Sequence, residues 1–210
     1  MSSVQPGCLW VVATPIGHRE DFSARAIETL RAVGVILAED TRHSRPLLLH
    51  HGIDTPLLAL HEHNERDAVA AIVRRLLAGE SVALISDAGT PLISDPGFRL
   101  VRAARAEGIR CSPVPGACAA IAALSVAGLP SDRFVFEGFL PAKAAARRSR
   151  LQELAGDGRT VIFYESSHRV AESLADMRDI FGGDREAVLA RELTKMFETV
   201  LGEPLQDLAA

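Results

Sequence analysis

The chain has 210 residues, 48% of them hydrophobic, enough for one large domain or two small ones with buried cores of their own. A formal net charge of −4 excludes a global basic field, so any contact with nucleic acid has to come from a local patch. Cys8, Cys111 and Cys118 lack the C-x-x-C spacing of a zinc site or redox pair, the first 30 residues are too polar and broken for a signal peptide, and no run of about 18 apolar residues occurs; the expectation is a soluble, cytoplasmic protein with free thiols.

In chain order, the apolar run 9–13 reads as a buried strand that ends in Thr14-Pro15-Ile16-Gly17. A helix follows, with Ser23 as N-cap, Ile27, Leu30 and Val33 on one face and Gly34 as its stop. Residues 35–38 form a second strand, which empties into Glu39-Asp40-Thr41-Arg42-His43. Asn64 caps a helix in which Val69, Ile72, Val73, Leu76 and Leu77 recur at the helical period, closed by Gly79. Residues 81–86 are the next strand, and Asp95 with Pro96 reads as the N-cap and first residue of a helix that stops at Gly108. A strand over 109–114, a turn at Pro115-Gly116 and an alanine-rich helix over 117–127 complete a βαβα alternation, which requires a mainly parallel sheet.

The pattern restarts after Gly128 and Pro130. Strands are expected at 133–139, 160–165, 186–191 and 198–202, with helices at 142–155 and 167–181. The chain is therefore read as two α/β domains, 1–128 and 129–210, with the crevice between them as the default ligand site.

Residues 86–97 are the most unusual stretch. Two glycines, two prolines, two aspartates and three hydroxyls make a stiff, polar loop at the carboxyl end of a strand, where open α/β sheets bind ligands. Asp87 and Gly89 have no helix to cap and point to ligand contact, whereas Asp95 reads as a cap. The loops at Thr14-Pro15-Ile16-Gly17 and Pro115-Gly116-Ala117 fall on the same edge of a parallel sheet. No G-x-G-x-x-G, Walker loop, G-x-S-x-G or H-E-x-x-H is present, so His50-His51 and His61-Glu62-His63 are not read as metal ligands.

Three polar strings leave strands, at Glu39 to His43, Tyr164 to Arg169 and Arg191 to Lys195. For Glu39 to His43, function and capping stay open together. Ser167 reads as a cap with His168 and Arg169 in the first helical turn, where cations oppose the macrodipole unless an anion favours them. Lys143, Arg147, Arg148 and Arg150 lie on one predicted helix, as a solvated face or as phosphate contacts.

Taken together, ATPIGHREDFSARAIETL (13–30), AEDTRHSRPLL (38–48), LISDAGTPLISDPG (84–97), VPGACA (114–119), FVFEGFLP (134–141), FYESSHRV (163–170) and ARELTKMFET (190–199) resemble the ribosomal RNA small subunit methyltransferase I family, in the tetrapyrrole-methylase superfamily. The similarity runs in order along nearly the whole chain. It implies two α/β domains of tetrapyrrole-methylase type with S-adenosylmethionine in the cleft between them, a homodimer, no metal, and 2′-O-methylation of a decoding-region cytidine in the 16S rRNA of the 30S subunit.

Carried over by position, the resemblance implies cofactor contact at Pro15, Asp87, Gly89, Thr90, Ser94, Pro115, Gly116, Ala117, Glu165 and Ser166. Alignment of the hydroxyl and removal of its proton fall to an unranked set: Glu39, Asp40, Arg42, Glu165, Glu192 and Lys195. Expected RNA contacts are Arg42, Lys143, Arg147, Arg148, Arg150, His168 and Arg169. The family has Pro where this chain has Ser167, and family members continue beyond Ala210, so the second domain is read as truncated, with an open sheet edge. The alternatives are a related methylase of small tetrapyrroles and a catalytically silent RNA-binding assembly module.

Overall fold

The computed structural model describes residues 7–61 and 64–210, so Glu62 and His63 of the second histidine string lie outside the described residues. The chain divides into two compact units, residues 1–118 and 119–210. That division falls one helix before the boundary read from the sequence. The alanine-rich helix α5 (Ala119–Val126) packs on strand β7 (Thr160–Tyr164), where the Tyr164 hydroxyl accepts the Ala120 N–H at 3.0 Å.

The first unit is built on five parallel strands, β1 (Cys8–Val12), β2 (Val35–Ala38), β3 (Leu57–Ala59), β4 (Val82–Leu84) and β5 (Arg110–Val114), in the order β3-β2-β4-β1-β5. The near-continuous apolar runs of β1, β2 and β4 are explained by helices on both faces. Leu9, Val35, Leu37, Val82 and Leu84 point to one face, where Ile72, Val73 and Leu76 of α3 (Glu65–Leu77) and Leu100 and Ala104 of α4 (Phe98–Ala106) cover them. Val12, Ile36, Ala38 and Ala83 point to the other, against Ala26 and Leu30 of α1 (Ala24–Ala32) and Leu48 of α2 (Thr41–His50). Each fully buried Leu or Ile contributes roughly 1.5–3 kcal/mol, so these two layers hold the unit together.

The connections create a switch point. β1 and β4 are neighbours, yet the chain leaves β1 through α1 on one face and leaves β4 through α4 on the other. A crevice outside the carboxyl ends of two such strands is where open α/β sheets place ligands.

Two elements escape the sequence pattern. Asp40 caps α2 by accepting the Arg42 N–H at 2.8 Å, and the helix runs on through Pro46. The edge strand β3 has only three residues. Two caps also differ from expectation. Ser23 caps α1 as read, accepting the Ala26 N–H at 3.1 Å. Asn64 starts α3 without a side-chain cap, because its amide is used by His61 N–H and the Ala59 carbonyl. Asp95 does not cap α4. Gly97, at φ 124°, is the N-cap, and the first-turn amides of Arg99 and Leu100 donate instead to Glu65 Oε1 at 2.9 and 3.2 Å.

In the second unit, β6 (Phe134–Phe139) pairs in parallel with β7, and β8 (Glu186–Arg191) pairs antiparallel with β9 (Thr199–Pro204). Helices α6 (Ala144–Leu154) and α7 (Val170–Phe181) pack together, and the short α8 (Leu205–Leu208) buries Leu205. Helix α7 starts later than expected: Arg169 is its N-cap and Ser167 and His168 precede it. His168 and Arg169 therefore precede the first turn, and Arg169 at the helix N-terminus is balanced by Glu165 of the same unit rather than by an outside anion.

Candidate functional site

At the switch point, the loops that leave β1 and β4 are tied to each other. Thr14 N–H donates to the Gly89 carbonyl at 2.8 Å, and Gly89 N–H returns to Thr14 at 3.1 Å, an isolated antiparallel bridge. The buried Thr14 hydroxyl adds a bond to the Ser86 carbonyl at 3.2 Å, and Ser86 Oγ donates to Gly89 at 3.1 Å. Thr90 Oγ1 reaches the Ala117 carbonyl at 2.9 Å, which brings in the loop after β5. The three loops read from the sequence are thus one assembly.

Close backbone approach explains the glycines. A Cβ on Gly116 would sit 2.9 Å from Ala13 Cβ, and one on Gly89, at φ 86°, would meet Ile16 at 3.3 Å. Leu92 and Ser94 are held at φ 73° and 65°, a left-handed conformation that costs non-glycine residues energy and that concentrates at functional loops.

The same edge carries carboxylates. Asp87 Oδ1 accepts the Asp40 N–H at 3.2 Å, which fixes it over the end of β2. Asp95, relieved of capping by Glu65, is pushed up to about 6 by burial, then by the charges of Glu39 and Asp87, while a hydrogen bond from Ser86 acts in the opposite direction. Such a cluster of carboxyl groups suits a ligand that carries positive charge. Of the expected cofactor contacts, the assembly unites Asp87, Gly89, Thr90 and Ala117, and it brings Pro15, Ser94, Pro115 and Gly116 into the same loops. Asp95 was missed, because its position before Pro96 reads as a cap.

The other candidates are already engaged. Asp40 is held at about 2 by hydrogen bonds from Arg42, which makes it a weak base, and Arg42 otherwise faces solvent. Glu165 accepts Ser166 N–H at 2.8 Å and Ser173 Oγ at 2.6 Å and lies 3.4 Å from Arg169, whose Nη2 donates to the Leu140 carbonyl. Lys195 pairs with Glu192 at 3.2 Å across a tight turn.

The arginine helix departs most from expectation. Arg147 is only 4% exposed in its side chain and bonds Asp176 at 2.6 Å. Arg148 shares Asp176 at 2.5 Å, and Arg150 bonds Glu137 at 2.7–3.0 Å. Arg147 is not available to a phosphate, since it lies inside the unit, and Arg148 and Arg150 are spent on carboxylates of the same unit. Lys143 and His168 remain exposed. His50 and His51 bond Glu20 and the Arg19 carbonyl, and among the described residues no group of three or more His, Cys, Asp or Glu is placed to hold a metal ion. No helix among the described residues is long and apolar enough to cross a membrane.

Comparison with known proteins gives the same direction. The family profile described as Tetrapyrrole (Corrin/Porphyrin) Methylases matches residues 8–209. The chain is 67% identical over 202 residues to a ribosomal RNA small subunit methyltransferase I of Pseudomonas aeruginosa, covering 96% of this chain and 72% of that one. It is 66% identical over 203 residues to the protein of that name from Xylella fastidiosa strain Temecula1, covering 97% and 74%. Among solved structures it is similar to a diphthine synthase (TM-score 0.74, 14% identity, 96% of this chain and 83% of that one) and to the methyltransferase CobJ (0.72, 20%, 96% and 87%). At those identities the structures show the fold alone.

Proposed function

The chain belongs to the ribosomal RNA small subunit methyltransferase I family, within the tetrapyrrole methylases, and from that premise we propose that it methylates the ribose 2′-hydroxyl of a decoding-region cytidine in 16S rRNA. It is an S-adenosylmethionine-dependent methyltransferase of small-subunit ribosomal RNA. The ribose position, action on the 30S subunit, a homodimeric state and a cytoplasmic location belong to the reading proposed. The observation that supports the cofactor's position most is the Thr14–Gly89 bridge at the switch point, with the Asp87 and Asp95 carboxyls in the loop it closes.

The donor set fits the cofactor. Its ammonium and sulfonium cations call for carboxylates, which Glu39, Asp87 and Asp95 provide, and its ribose and methionine groups call for backbone donors and acceptors, which the loops around Pro15, Thr90 to Ser94 and Pro115 to Gly116 supply in this reading. When bound, S-adenosylmethionine supplies a methyl group on a positively charged sulfur that departs neutral. The protein's part is to line up the hydroxyl oxygen, exclude water and hold the cationic end in place. The exposed Lys143 ammonium and His168 imidazole of the second unit meet RNA phosphates in this reading.

The test is to label 30S subunits with the chain and radioactive cofactor, isolate 16S rRNA and digest it fully with alkali. A 2′-O-methyl group blocks attack on the next phosphodiester, so label is expected in an alkali-resistant dinucleotide containing cytidine. Label only in mononucleotides would make a base the acceptor. No transfer at all would favour a silent RNA-binding module.

A further inference from the structure

The second unit carries an aromatic ledge that the proposed chemistry leaves unused. β6 and β7 are parallel, so Phe139 and Tyr164, paired in register, both stand at the carboxyl edge of the pair. The register slips just before them: Phe136 faces Ile162, Gly138 faces Phe163, and Glu137 is the extra residue. Gly138, buried and at φ 68°, supplies the left-handed step. A one-residue slip turns the following side chain to the other face of a strand, and such slips recur beside functional sites.

Here the slip is held by a clamp. Glu137 accepts three hydrogen bonds from Arg150 of α6 at 2.7–3.0 Å, so one of the arginines read as an RNA contact fixes the backbone instead. Beyond it Phe139 is 55% exposed, with its ring edge-on to Tyr164 at 5.6 Å and 63°. Tyr164 is braced from behind by Phe136 at 5.0 Å and by its hydroxyl bond to Ala120 N–H. A lone exposed phenylalanine needs no explanation. A phenylalanine turned outward by a clamped slip, backed by two more rings, is a platform.

The partner follows from what surrounds it. The connections that leave β6 and β7 at this edge bear the exposed Lys143 ammonium and the exposed His168 imidazole, a charge and a hydrogen-bonding ring. Open aromatic faces flanked by cations bind unpaired nucleotides, by stacking on the base and attraction of the phosphates. We propose that Phe139, set by the Glu137–Arg150 clamp and backed by Tyr164, stacks on an unpaired base of the ribosomal RNA substrate. This rests on the reading of the chain as a methyltransferase of that RNA.

The probe is a single-stranded RNA dodecamer containing 2-aminopurine, whose fluorescence drops on stacking against an aromatic ring. Phe139→Ala is expected to weaken binding of this RNA about tenfold or more and to abolish the quench. Phe139→Trp should restore both, and binding of S-adenosylhomocysteine should stay unchanged. Arg150→Met should reduce the quench while Phe139 remains in the chain. Loss of S-adenosylhomocysteine binding in Phe139→Ala would assign the ledge to the cofactor's adenine and overturn the proposal, as would unchanged RNA binding. Should Phe139→Ala unfold, the Phe139→Trp protein decides alone: quenching of its indole by the RNA supports stacking, and no quenching overturns it. Methyl transfer to 30S subunits by the parent chain is scored separately, so failure of the ledge and failure of the functional reading are told apart.

Discussion

The loop over residues 86–97 and helix α6 have exchanged the jobs their sequences suggest. The loop's Asp95 looks like a local cap, and the helix's arginines look like a surface for phosphate. In the structure Glu65 caps α4 and leaves Asp95 among carboxylates, while Arg147 is buried against Asp176 and Arg150 clamps Glu137. Charge written along a sequence does not name its partner. The same guanidinium that would meet a phosphate is consumed wherever folding brings a carboxylate within reach, and an aspartate at a cap position is released when a longer side chain arrives from elsewhere.

The sharpest way to break this comparison is to remove the buried arginine. Arg147→Ala leaves Asp176 uncompensated and is expected to cost about 3–5 kcal/mol in urea unfolding, while Arg147→Met with Asp176→Leu recovers most of it. A stable Arg147→Ala protein with reduced RNA affinity would return the helix to a phosphate-binding role. Next, Glu65→Ala strands two first-turn amides and should cost about 2 kcal/mol, against no cost of that kind for Asp95→Ala. Equal effects would mean that Asp95 shares the cap. Asp87→Asn keeps the oxygen that holds Asp40 N–H but removes the charge. It should weaken S-adenosylmethionine binding about tenfold, roughly 1.4 kcal/mol, by calorimetry, with little change in the melting temperature of the free protein.

The smallest effect concerns Asp95 itself. Its folded value of about 6 lies above the ordinary value of 3.8, so between those pH values the folded state holds the proton more tightly than the unfolded state. Stability therefore falls as pH rises from about 4 to about 6, and the loss persists above that. Asp95→Asn escapes it and, allowing for partial exposure, should gain about 1 kcal/mol at pH 7.5 and nothing near pH 3. A gain that is the same at both pH values would mean that ionisation is not its cause.

The contrast also marks what a sequence can disclose. Strands buried on both faces announce themselves as apolar runs, and Ser23 announces its cap, because the residues that decide lie within a few positions of one another. Helix α2 does not, since Pro46 and the charged string from Thr41 to Arg45 blur its period, and β3 is too short to show alternation. Of the site, the glycines and hydroxyls of 86–97 were legible as an unusual loop. Its closure by Thr14 and Thr90 was only suggested by shared strand ends. The Glu65 cap and the Glu137–Arg150 clamp were not legible, for each joins residues on different elements, although Gly138 inside a strand was a usable sign of the slip.

The strand order has a consequence during synthesis. Among the five strands of the larger sheet β1 is made first, yet it lies between β4 and β5, and its register with β5 runs from Cys8 opposite Arg110 to Val12 opposite Val114. At the usual pace of translation, roughly 5 to 20 s separate the appearance of β1 from that of its second neighbour. Until β4 appears neither edge of β1 has a native strand to pair with, and until β5 appears one edge still lacks its partner. The nascent chain thus needs protection around β1, and its larger sheet cannot be completed until β5, roughly a hundred residues later, has been translated.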